Sequence, residues 1–214
     1  MPVFVLDEEL SFPPVHLAEP NGLLAIGGDL SPERLILAYK NGIFPWYDEG
    51  DILWWSPDPR FILRPGELKV SKTMQQLLKK KAFEFTVNKA FNEVISNCRS
   101  IVRPGQTSTW ITRDVEEAYT ILHENGLAVS AEVWLNEKLS GGLYGIRMGR
   151  AFFGESMFSN LPNASKFALI NFIRLLQNEG LMLIDCQVYT KHLESLGAKM
   201  VSRSEFILLL NECF

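Results

Sequence analysis

Nothing in this chain approaches the run of about 18 uncharged apolar residues that a membrane-spanning helix needs. Its start carries Asp7, Glu8 and Glu9 rather than a basic patch and an apolar run, so no signal peptide is predicted. Cysteine is scarce. Cys98, Cys186 and Cys213 form no even framework, which predicts a reducing compartment and hence the cytoplasm. His16, His123 and His192 are scattered without ligand spacing, so no metal site is expected. Positive charge is not in excess. The formal net charge of -4 argues against a non-specific nucleic-acid coat and leaves room only for a local basic face. There is no Gly-x-x-x-x-Gly-Lys-Ser/Thr loop and no Gly-x-Gly-x-x-Gly fingerprint, which excludes the usual triphosphate and dinucleotide chemistry. Repeats and low-complexity tracts are missing, and no strong dimerisation stripe is visible, so a monomer is expected.

What is present falls into two parts. With 214 residues, 47% of them hydrophobic, the chain can build one large or two small cores. Up to residue 62 it is crowded with turn formers and aromatics: Phe12-Pro13-Pro14, Gly27-Gly28-Asp29, Phe44-Pro45-Trp46 and Trp54-Trp55-Ser56-Pro57. One helix fits there, capped by Ser31, entered at Pro32 and stopped at Asn41-Gly42. A small loop-rich N-terminal domain over 1–62 is expected. Residues 63–214 carry regular helix and strand signals. Ser71 opens a helix ending in Lys79-Lys80-Lys81, Asn88 opens another, and Thr112 caps a third that stops at Asn125-Gly126. Strands are expected at 83–87, 128–135, 139–146, 151–153 and 181–185. A helix bearing Leu169, Phe172, Ile173 and Leu176 lies before the last of them. Ser202 and Glu205 form a capping box for a final helix. Antiparallel strands followed by a crossover helix and a buried strand indicate an α+β fold with a mixed sheet.

Two constellations carry chemistry. In Phe153-Gly154-Glu155-Ser156-Met157-Phe158-Ser159 a carboxylate is set among apolar side chains, which is costly unless it is paired. An amine-bearing ligand could supply the pairing. In Asp185-Cys186-Gln187 a carboxylate, a thiol and an amide follow an apolar strand, and ligand sites gather at strand ends. Three readings stay open there: a Cys186/His192 nucleophile pair, a metal site, or carboxylate and amide groups positioning an amine for acyl transfer. Equally, the segment could be a plain strand end running into a helix capped by Thr190. Trp54, Trp55 and Trp134 read as core or rim. Trp46 and Trp110 sit in loops beside small polar groups and suit stacking on a base. Lys69, Lys72 and Lys79–Lys81, with Arg60 and Arg64, make the strongest basic segment, either a solvated face or a phosphate track.

Several long segments together resemble the leucyl/phenylalanyl-tRNA–protein transferases. They are Glu19 to Ser31, Gly42-Ile43-Phe44-Pro45-Trp46, Leu53 to Arg60, Thr109-Trp110-Ile111-Thr112, Gly141 to Gly145, Phe153 to Ser159 with Ala164-Ser165-Lys166, Asp185-Cys186-Gln187, and His192 to Ala198. The resemblance covers nearly the whole chain. Val129 and Ser108 depart from it, standing where His and Gly are usual. It implies a small N-terminal domain and an acyl-CoA N-acyltransferase-like mixed-sheet C-terminal domain. It implies transfer of Leu or Phe, also Met, from aminoacyl-tRNA to proteins with N-terminal Arg or Lys, marking them for degradation. The ester is already activated, so no ATP, metal or coenzyme is implied. By motif, Asp185 and Gln187 are the implied catalytic pair and Glu155 the holder of an amine. Trp46 and Trp110 bracket the terminal adenosine, and Leu143, Phe152, Met157 and Leu176 line the side-chain pocket. The competing expectations are a CoA-dependent N-acyltransferase, against which the missing pyrophosphate loop counts, and a tRNA- or peptide-binding module without catalysis.

Overall fold

The computed structural model describes residues 3–48, 50–101 and 110–214. The chain opens with β1 (Phe4–Leu6) and β2 (Leu23–Gly27), then α1 (Pro32–Lys40), β3 (Phe44–Pro45) and β4 (Leu53–Trp55). These strands form a four-stranded sheet in the order β1-β2-β4-β3. α1 begins where the sequence requires: Ser31 Oγ accepts from the Arg34 amide, Pro32 occupies the first turn, and Gly42 leaves the helix at a φ of 72°. The Arg34 guanidinium is buried and donates to Asp29 and to the carbonyls of Asp7 and Glu9, tying the first strand's exit to the helix.

Then follow β5 (Arg60–Leu63), α2 (Lys72–Lys79), β6 (Glu84–Val87), α3 (Phe91–Ser100), α4 (Arg113–Glu124), β7 (Ala128–Leu135), β8 (Lys138–Met148), β9 (Ala151–Ser159) and α5 (Ala164–Asn178). The last elements are β10 (Leu183–Gln187), α6 (Lys191–Glu194), β11 (Lys199–Val201) and α7 (Arg203–Asn211). Seven strands make the second sheet in the order β11-β5-β10-β9-β8-β7-β6. β6 to β9 form an antiparallel meander, and α5 crosses over so that β10 lies parallel to β9. The fold is therefore mixed α+β. The expected boundary between residues 62 and 63 falls inside β5, whose residues pair with β10 and β11.

Side chains alternate across this sheet, and two cores follow. On one face Phe152, Leu143 and Val133 pack with Phe172, Ile173 and Leu176 of α5. On the other Phe153, Tyr144 and Phe158 pack with Val94 of α3, Val115 and Tyr119 of α4, and Tyr39 of α1. The four-stranded sheet's Trp54 belongs to this second core, its indole N–H donating to the Gly27 carbonyl.

Three local expectations change. α3 starts at Phe91 rather than at Asn88, because Asn88 accepts from the Ser130 amide and adopts a φ of 55°. The helix entrance is closed by Glu132 Oε1, which accepts from the Ala90 amide at 3.4 Å. β9 runs on through Gly154, Glu155 and Ser156 to Ser159, since the pairing with β8 continues beneath its polar residues. β10 lies two residues later than the apolar run, at 183–187. The capping expectations at Ser71, Thr112, Thr190 and Ser202 hold, each side chain accepting from the amide three residues on.

Gly145 of β8 faces the Phe153 carbonyl and the Phe152 ring of β9. A Cβ there would overlap the Phe153 carbonyl oxygen and the Phe152 ring. Gly145→Ala is expected to destabilise the protein by about 1–3 kcal/mol through overpacking. Urea unfolding measures this, and an unchanged midpoint would contradict the packing described.

Candidate active site

A cavity of about 420 Å³ opens where β9 and β10 meet the first sheet's Phe44–Trp46 corner. Asp185, Gln187, Glu155, Trp46, Trp110, Leu143, Phe152 and Met157 all line it. Leu176 does not. It is two helical turns beyond Leu169 on α5, about 10 Å along the axis at 1.5 Å per residue, and packs in the core. Leu169 and Ile184 line the cavity instead. Ser108 and Thr109, which precede Trp110, lie outside the described residues.

Both strands that carry the polar residues are bulged at the site. On β9, Gly154 pairs with Gly145 and Ser156 with Tyr144, so Glu155 is the extra residue. On β10, Asp185 pairs with Ile62 and Gln187 with Phe61, so Cys186 is the extra residue. A bulge re-aims the side chains around it.

Asp185 is fully buried, and its partner was unexpected. Arg60 holds it with a two-point grip, Nε to Oδ1 at 2.9 Å and Nη2 to Oδ2 at 2.6 Å. The Arg60 guanidinium lies between the rings of Phe44 and Phe206, at 4.7 and 4.5 Å from their centroids. Arg60 therefore contributes nothing to a basic surface, which corrects its grouping with the lysines. Oδ1 of Asp185 also accepts from the Gln187 amide at 2.9 Å. Gln187 has a φ of 61°, a left-handed conformation that costs a non-glycine residue about 1–3 kcal/mol unless its surroundings hold it. Asp185 holds it.

Glu155 is buried as the sequence suggested, and protein groups already surround it. Gln187 Nε2 and the Tyr39 hydroxyl donate to Oε1, each at 2.8 Å, and the Tyr119 hydroxyl donates to Oε2 at 3.1 Å. The two tyrosine hydroxyls also touch each other. Loss of hydration pushes the Glu155 carboxyl up to about 7, partly offset by donors from Tyr39, Tyr119 and Gln187. The same burial, with the Glu155 charge, keeps both tyrosines far from ionisation.

The nucleophile-pair reading fails on electrostatics. Cys186 and His192 share the cavity lining, but burial and the Asp185 charge push the thiol far up, so it carries no thiolate. His192 is pushed below its usual range by burial and by Lys166. Trp46 is exposed enough to offer a face, its ring 5.9 Å from Trp55, whose indole N–H donates to the Trp46 carbonyl. Trp54 is core and Trp134 is tied to Thr86, as expected.

Family models match this architecture in two parts: the leucyl/phenylalanyl-tRNA protein transferase model over residues 62–211 and its N-terminal domain model over 28–58. The chain belongs to the leucyl/phenylalanyl-tRNA protein transferase family. It is accordingly an aminoacyltransferase. A relative of that name from Flavobacterium johnsoniae is 56% identical over 97% of this chain and 99% of its own length. One from Syntrophus aciditrophicus is 54% identical over 99% and 89%. Among solved structures, L-PGS from Bacillus licheniformis aligns with a TM-score of 0.41 at 12% identity, covering 80% of this chain and 57% of that one. A GCN5-related N-acetyltransferase from Kribbella flavida aligns at 0.40 and 9%, covering 78% and 60%.

Sequence reasoning missed Tyr39, Tyr119 and the role of Arg60. Each left a signal. Tyr39 follows Leu35 and Tyr119 follows Val115 by four residues, on the buried stripes of their helices, where a tyrosine hydroxyl must find a partner. Arg60 opens a strand buried throughout, where a charge needs a countercharge. Arg60→Met is expected to lower stability by about 3–5 kcal/mol, because it strands the Asp185 charge. A denaturation midpoint within experimental error of wild type would contradict the pairing.

Proposed function

We propose that this chain transfers leucine or phenylalanine, and also methionine, from aminoacyl-tRNA to the N-terminal Arg or Lys of proteins. The product is thereby marked for degradation. The observation that carries the reading is one cavity joining an apolar lobe, an amide and carboxylate pair, and two tryptophans. The lobe of Leu143, Phe152, Met157, Leu169 and Ile184 suits an apolar side chain unbranched at Cβ. A misfit methyl or methylene there costs about 1–3 kcal/mol of discrimination. Trp46 and Trp110 bracket the adenosine that ends the tRNA. Glu155 holds an amine, and Gln187, whose Nε2 is committed to Glu155, turns its Oε1 to the acceptor amine. Asp185 works through Gln187: both its oxygens are engaged by Arg60, and one also by the Gln187 amide. Positioning of the amine over the ester is thus the main protein contribution.

The partners are aminoacyl-tRNA and proteins with N-terminal Arg or Lys, met by a monomer in the cytoplasm. Three buried free thiols support a reducing setting. Among the described residues no helix is long and apolar enough to cross a membrane. No ATP, metal or coenzyme is required, because the tRNA ester is itself activated.

The test is transfer of labelled Leu or Phe from tRNA to a peptide starting with Arg or Lys, against a matched peptide starting with Asp. Label should appear only on the basic peptides, and Asp185→Ala and Gln187→Ala should each cut it at least about tenfold. Wild-type rates in both variants would sink the assignment of that pair. Equal labelling of the acidic peptide would sink the acceptor assignment.

A further inference from the structure

Aminolysis of an ester by an ammonium group leaves one proton over. The acceptor's α-ammonium carries three N–H hydrogens. The new amide keeps one. A second goes to the ribose oxygen that leaves when its C–O bond breaks and the C–N bond has formed. The third must be accepted before the nitrogen lone pair can attack. Gln187 cannot take it, since a side-chain amide is not a base at neutral pH.

We infer that Glu155 takes that proton, on Oε2, and that Tyr39 and Tyr119 hold it for the purpose. The inference rests on the transfer reaction proposed above. Geometry carries it. Among the described residues Oε1 has two donors, Tyr39 and Gln187, and Oε2 has only Tyr119, so one lone pair of Oε2 is left. Glu155 lines the cavity, and its Oε1 is bonded to the amide that faces the acceptor amine. The three oxygen pairs, Tyr39–Tyr119, Tyr39–Oε1 and Tyr119–Oε2, close a ring with only two hydroxyl hydrogens to share. Both hydroxyl hydrogens go to the ionised carboxylate, so Tyr39 and Tyr119 fix it in place and leave the free lone pair of Oε2 to the incoming proton.

The other titratable groups facing this spot are poorly suited. Asp185 on β10 is committed to Arg60 of β5. Cys186 stays a thiol. Tyr39 from α1, Tyr119 from α4 and Tyr144 from β8 are phenols, the first two shifted away from ionisation. His192 is made a weaker base by burial and Lys166. The Glu155 carboxyl, at about 7, is matched to neutral pH. After transfer, the proton on Glu155 passes to water as the product leaves.

The experiment is the pH dependence of kcat/KM for an Arg-starting peptide with saturating Leu-tRNA. Wild-type kcat/KM should rise with pH along an acid limb that reports Glu155 near 7 and then level off, since an acceptor that has already lost its proton needs no base. Glu155→Gln should fall by about 100-fold at neutral pH and rise only with the acceptor's own α-amine, at about 7.7–8.0. Tyr39→Phe removes a donor that favours the carboxylate, so it should move the acid limb to higher pH. Melting curves of both variants establish that they are folded. Glu155→Gln activity within threefold of wild type, or an acid limb unmoved in Tyr39→Phe, would overturn the inference while leaving the transfer reaction standing. A wild type that transfers nothing at any pH would overturn both.

Discussion

The buried pair of Arg60 and Asp185 organises this molecule. Two charges out of water are costly unless geometry and extra hydrogen bonds repay the lost hydration. Here the guanidinium grips both carboxylate oxygens and is roofed by Phe44 of the first sheet and Phe206 of the last helix. The pair thus joins four separate parts of the chain: the β3 corner, β5, β10 and α7. It is worth more as a fixed point than as stabilising energy. From it Asp185 reaches the Gln187 amide and holds that residue in a left-handed conformation. From Gln187 the side-chain amide reaches Glu155, and from Glu155 the bonds continue to α1 and α4.

This arrangement divides labour between two carboxylates 30 residues apart, one at position 155 and one at 185. Asp185 is paired with Arg60 and acts on the backbone. Glu155 is met by neutral donors, loses its hydration, and is left near neutrality in its proton affinity. Environment alone separates them. It also explains why the small first sheet is indispensable to the site. Tyr39 and Trp46 come from it or from its helix, and without them neither the ring around Glu155 nor the cavity wall would be complete.

Much of this was legible in the sequence. Helix entrances at Ser31, Ser71, Thr112, Thr190 and Ser202 follow from local capping chemistry, which needs no tertiary information. Gathering Asp185, Gln187, Glu155 and the loop tryptophans into one site followed from the family motifs. What was hidden is long-range. The bulges at Glu155 and Cys186 depend on register with other strands, which no local pattern encodes. Arg60 sits near lysines in sequence and so read as surface, although its strand is buried. Leu176 shares an apolar stripe with Leu169, but a straight helix carries it past the cavity into the core. Asn88 reads as a cap because Asn often is one, yet its side chain completes a strand ladder instead.

The central claim is that Asp185 acts through Gln187 and that Glu155 and Gln187 together meet the acceptor amine. A crystal structure with an amide-linked, unreactive phenylalanyl-adenosine and an Arg-starting peptide tests it most directly. The account predicts the peptide α-nitrogen within about 3.2 Å of both Gln187 Oε1 and Glu155 Oε2, with the grip of Arg60 on Asp185 intact. An α-nitrogen bonded to Asp185 itself, with Arg60 displaced, would contradict it.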